Sequence, residues 1–230
     1  MRNAARNTLQ LIIFMLLLHP MPVRAIPAIS CHCFTDRSYD AARPAAADPY
    51  FLASIQNSFI AIVFNTDKNN IVIKKQQGTS SDDLWIACWV ASKVAASPDT
   101  LLHARLKQGS WKDALTMLRI STKDLGARFS SALNAKSSSA HLAEMVVDEL
   151  FTRYRILADA DLTAIRKTGA SNQELIVAAL IAAKTNQPAR QIYLDVKSGL
   201  KTWGALLLWA NIDTKNMQQE VSSILKLQPQ

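Results

Sequence analysis

Apolar positions in the body of the chain recur at steps of three and four residues, the spacing of helices that bury one face. Two stretches depart from this in the same way. Residues 84–91 and 175–183 are apolar on every side, and a helix apolar all round belongs in a core. They are predicted to be the centres of two halves. Start signals surround the first of them. Asp48-Pro49 reads as an N-cap followed by Pro in the first turn. Ser80-Ser81-Asp82-Asp83 reads as a capping box, and Ser97-Pro98, Ser110-Trp111 and Ser121-Thr122 as further starts. Gly78 and Gly109 read as stops. The second half places stops at Gly169 and Gly199 and starts at Ser171, Thr202 and Asp213.

This punctuation belongs to a longer correspondence. "GSWKDALTMLRISTKDL" at 109–125 is echoed by "KTWGALLLWANIDTKNM" at 201–217. A shift of 91 lays Gly78 on Gly169, Ser80 on Ser171, Leu84 on Leu175 and Lys93 on Lys184. A shift of 90 lays Gly109 on Gly199, and one of 92 lays Trp111 on Trp203 and Ile120 on Ile212. The one strand-like run, "NNIVIKK" at 69–75, opens "NNIVIKKQQG" at 69–78, which overlies "ADLTAIRKTG" at 160–169, a better helix former. Both are therefore predicted as helices. The expected fold is all-α: a tandem duplication of a unit of five to six helices, packed as a compact pseudo-symmetric domain. Two units are too few for a self-sufficient solenoid. The expected boundaries are 1–25, 26–47, 48–134 for the first unit, a Ser-rich junction at 135–138, and 139–226 for the second.

The N-terminus changes the picture of where this fold works. Arg2 and Arg6 precede an apolar core at 11–18, and Val23-Arg24-Ala25 offers small residues at the positions a signal peptidase reads. This is a secretory signal by pattern, cleaved near Ala25, and the chain is expected to be periplasmic or secreted. A rival reading takes Ala28-Ile29-Ser30-Cys31 as a lipobox, with a lipid anchor on Cys31. Removing residues 1–25 removes three arginines and lowers the net charge from +8 to +5. That suits an anionic envelope surface and does not call for nucleic acid. No later apolar run is long enough to span a bilayer, so no transmembrane segment is expected in the mature chain.

Candidate chemistry concentrates in residues 26–47, which have no counterpart in the correspondence. Cys31-His32-Cys33 supplies thiolate and imidazole, ligands that suit zinc or copper. A closed zinc site needs four ligands, and no second pair stands at ligand spacing; Asp36, His103 and His141 would have to converge. In an oxidising compartment the thiols could instead form a disulfide, with each other or with Cys88. Tyr39, Asp40, Arg43, Asp48 and Tyr50 form a polar cluster ahead of the first helix, either a binding cluster or a cap on the bundle. Glu144 and Asp148 share one helix face and could serve as an acid–base pair, with Glu149 beside them; a solvated face is the plainer reading. Trp111 and Trp203 read as matched packing anchors, and Cys88 as a small buried residue. His103 overlies Tyr193. Phosphate loops, nucleophile elbows and zinc-protease motifs do not occur, and the sequence names no cofactor.

"GSWKDALTMLRIS" and "TWGALLLWANID" resemble the G-x-W-x-x-L/I-A phrase of uncharacterised exported all-helical bacterial proteins. The second copy departs from it, since Gly204 there follows the Trp. The resemblance implies a fold class and no activity. The phrase also resembles a helix-turn-helix, but "TKDLGARFSSAL" at 122–133 has few base-reading side chains at its start. The expectation is an exported non-catalytic binding or scaffolding protein of the envelope, with a partner docked in the cleft between the units. The alternatives are a metal or thiol redox protein using Cys31, His32 and Cys33, and a cell-wall hydrolase using Glu144 and Asp148.

Overall fold

A computed structural model describes residues 39–226. The signal-like segment and Cys31, His32, Cys33 and Asp36 lie outside the described residues. Within them the chain is compact and all-helical, with no strand. The helices are α1 (Asp48–Val63), α2 (Lys68–Gln76), α3 (Ser81–Ala91), α4 (Pro98–Gln108), α5 (Trp111–Met117), α6 (Ala127–Asn134), α7 (Ser139–Arg153), α8 (Asp159–Lys167), α9 (Asn172–Thr185), α10 (Ala189–Lys197), α11 (Trp203–Trp209) and α12 (Met217–Lys226). Short 3-10 turns at Lys123–Leu125 and Thr214–Asn216 precede α6 and α12. "NNIVIKK" is helical, in α2.

Most of the expected caps form. Ser80, Ser97, Ser110 and Thr202 each accept a backbone N–H of the first turn of α3, α4, α5 and α11. Ser171 and Glu174 make the full reciprocal box on α9. Asp83 does not close its box on Ser80; its carboxylate turns to Trp111 instead. Nor is Asp48 the cap of its own helix. Ala47 holds that position without a side-chain bond, and the Asp48 carboxylate reaches to α11.

Stop geometry recurs down the chain. Gly78 and Gly169 take φ of 94° and 91°, and Gly109 and Gly199 take 76° and 77°. Less expectedly, non-glycine residues adopt the left-handed region at matched places: Asn65 and Arg155 at 47° and 51°, Arg119 and Asn211 at 55° and 52°. Each of these four closes a helix in a Schellman-type turn, as Thr66 N to Ala61 O and Ile156 N to Phe151 O do at 2.9 Å.

The core is one cluster running through both halves. Leu84 to Val90 of α3 and Leu175 to Ile181 of α9 are buried without a break. These helices do not lean chiefly on each other. α3 packs on α7 and α4, while α9 packs on α1 and α10. α12 closes over α1, and α6 over α7. The opening helix of each half therefore lies on the central helix of the other.

Candidate functional site

Four places bring polar or exposed apolar groups together. The first is the foot of α11. Asp48 Oδ2 accepts the N–H of Trp203 at 3.0 Å, and Oδ1 that of Gly204 at 2.8 Å. A carboxylate at a helix start satisfies orphan donors and the helix dipole. Burial nonetheless pushes the Asp48 carboxyl above its ordinary range, outweighing the two bonds. A Cβ on Gly204 would stand 2.9 Å from Tyr39 Cδ2 and 3.0 Å from Phe51 Cε2. The Gly after Trp is thus where Tyr39 and α1 close on α11. Of the predicted polar cluster, Tyr39 and Asp48 meet here. Asp40 and Arg43 form their own exposed turn, with Nε to Oδ2 at 3.1 Å. There the backbone N–H of Ala42, then Arg43, holds the Asp40 carboxyl below its usual range. Tyr50 is buried edge-on to Phe51.

The second place is a polar cleft of about 480 Å³ between the end of α2, the start of α3 and α4, lined in part by Lys74, Asp83, Asp99, His103 and Arg105. Lys74 and Asp99 form an ion pair across it. Asp83 Oδ1 accepts from Trp111 Nε1 at 2.7 Å and Ser139 Oγ at 3.0 Å, with Arg105 Nε at 3.6 Å. Trp111 is thereby a packing anchor with a polar tether. Tyr193, which a shift of 90 lays on His103, has a partner of its own. Its hydroxyl donates to Thr168 O at 3.4 Å, and Lys197 reaches the same carbonyl. The sequence pairs His103 with Tyr193 but carries no sign of the cleft. Asp83 reads as a capping residue, and nothing local tells that α2 ends beside α4.

The third place is the carboxylate face of α7. Asp148 accepts from Arg166 Nε at 2.9 Å and Nη2 at 2.8 Å, and both side chains are 13% exposed. Burial raises the Asp148 carboxyl despite the guanidinium. Glu144 turns to His141 at the surface, 3.2 Å away. In the first half the matching positions are Asn57 and Lys75, and they also bond, at 2.5 Å and buried. Glu144 and Asp148 therefore share a face, as predicted, with the latter clamped to α8.

Cys88 lies buried in α3, its thiol pushed up to about 12 by burial. His103 and His141 line different clefts, and among the described residues no three ligand-type side chains stand close enough to hold a metal. No described helix is long and apolar enough to cross a membrane.

The fourth place is apolar. Leu200, Leu208 and Trp209 are 77%, 60% and 53% exposed. They sit in the α10–α11 turn and the last turn of α11, whose other face, Trp203, Gly204, Leu206 and Leu207, is buried. Lys201 Nζ lies 5.7 Å from the Trp209 ring centroid and 3.0 Å from Asp195. No protein-family profile, curated protein or solved structure matches the chain.

Proposed function

We propose that the chain is an exported, duplicated helical protein of the cell envelope that acts without catalysis, by docking a partner. The duplication is supported by the helix order common to the two halves, by the matched left-handed turns, and by the Asn57–Lys75 and Asp148–Arg166 bonds at equivalent positions. The docking role is carried by one observation: Leu200, Leu208 and Trp209 stand in solvent on a helix whose other side is locked into the core. Exposed apolar side chains grouped in this way mark interaction sites. Tyr39, laid against Gly204 on the same helix, serves as a clamp.

The test is a photo-crosslinking side chain at Leu208 in intact cells, with one at exposed Lys167 as control. Adducts with envelope constituents at 208 and not at 167 support the reading. A cytoplasmic protein, or equal adducts at both positions, overturns it. Native mass of the same material separates the rival reading, since metal bound in stoichiometric amount and lost on Cys33→Ser would make Cys31, His32 and Cys33 the site.

A further inference from the structure

We infer that the exposed edge of α11 docks on an anionic lipid surface, an inference that rests on the docking role proposed above and names its partner. The apolar part comes first. Leu200 projects from a turn and Trp209 from a helix end, and side chains that stand out in this way suit a fluid interface that closes around any shape. α11 cannot turn them inward, because Trp203, Leu206 and Leu207 already fill the core beneath it and Asp48 fixes its start. Trp is the residue whose ring settles at a membrane–water boundary. Exposed Leu and Trp with the Lys201 amine 5.7 Å from the Trp209 ring make the combination of an interfacial anchor.

Charge decides among occupants. Between residues 190 and 215 the chain carries Arg190, Lys197, Lys201 and Lys215 against Asp195 and Asp213. Both carboxylates are engaged locally, Asp195 by Lys201 and Gln191, Asp213 by the Lys215 N–H and Asn216. Lys197 donates to a neutral carbonyl, that of Thr168. Four cations against two carboxylates leave the stretch that carries the edge with a net charge of +2. A second copy of the chain would bring like charges together. Anionic headgroups complement the lysines while the acyl boundary receives Leu208 and Trp209.

Trp209 also provides the readout. Of five tryptophans, Trp85, Trp89, Trp111 and Trp203 are buried and Trp209 alone is exposed. The mature chain, without residues 1–25 and carrying Cys31→Ser so that no acyl chain contributes, is mixed with phosphatidylglycerol-containing vesicles and with phosphatidylcholine vesicles, plain and brominated. The expected result is sedimentation with the anionic vesicles only, weakened by salt, with bromine quenching that disappears in Trp209→Phe while binding stays. Leu208→Gln with Trp209→Gln should weaken binding at least about tenfold, whereas Leu106→Gln, at an exposed apolar site on α4, should not. Circular dichroism checks that each variant is folded. Equal binding to both vesicle types, or full binding by the double variant, overturns the inference. If vesicles are ignored while Leu208 crosslinks a protein, the lipid partner is refuted and the docking role survives.

Discussion

Gly204→Ala is the substitution for which structure and propensity disagree most. In an ordinary helix the change stabilises by roughly 0.5–1 kcal/mol. Here the new Cβ would meet Tyr39 Cδ2 at 2.9 Å, Phe51 Cε2 at 3.0 Å and Asp48 Oδ1 at 3.4 Å. Carbon atoms pack best at about 3.5–4.0 Å, so one ring or the helix must give way by about half an ångström or more. Phe51 is wholly buried on α1 and has little room to retreat. Overpacking of this kind costs about 1–3 kcal/mol, and a shift of α11 would also stretch the Asp48 bonds to its first two N–H groups. A net loss of about 1–2 kcal/mol is expected. For a chain of this size that lowers the melting temperature by about 2–8 °C. Urea titration at 222 nm measures it, and Tyr39→Ala in the same chain should recover part of the loss by removing one of the clashing rings. A Gly204→Ala protein as stable as the parent, or more so, would refute the account of how Tyr39 and α1 meet α11.

Three further outcomes are expected. Because burial raises the Asp48 carboxyl in the folded state, the native protein binds that proton more tightly than the unfolded chain. The parent should therefore gain stability relative to Asp48→Asn as pH falls from 7.5 towards 4.5; paired denaturant titrations that show the opposite trend would contradict the burial of this group. Arg166→Leu leaves Asp148 buried without its partner and should cost about 2–4 kcal/mol at pH 7.5, and less as pH falls, since burial already makes Asp148 hold a proton more readily. A cost that does not change with pH would sink that explanation. Cys88 in a chain with Ser at 31 and 33 should resist alkylation at pH 8 until denaturant is added, since its thiol is buried and pushed up to about 12; rapid labelling of the native protein would count against it.

Local signals were legible and distant ones were not. Ser80, Ser97, Ser110 and Ser171 each satisfy donors within their own first turn, so residue type and spacing were enough to place the starts of α3, α4, α5 and α9. The helix at 69–75 became readable only because the better helix former at 160–169 overlies it. The destination of Asp48 was hidden. Followed by Pro it looks like a cap, yet its acceptors serve N–H groups 155 and 156 residues away, and no local pattern encodes that. The bonds from Asn57 to Lys75 and from Asp148 to Arg166 fall under the same shift of 91 that revealed the correspondence. They escaped notice because matching by identity passes over an amide standing for a carboxylate and an amine for a guanidinium. The polar cleft depends on where the end of α2 stands relative to α3 and α4, which periodicity does not carry.

The exchange of opening helices between the halves sets an order of events in time. α1 rests on α9 and α12, which end at Thr185 and Lys226. During synthesis at about 5–20 residues per second, α1 waits on the order of ten to thirty seconds for the surface that buries it. Until the last helix arrives, Phe51, Ile55 and Ile60 have no finished core to enter. A chain so arranged stays open until it is complete. That delay exposes it to aggregation for as long as synthesis lasts.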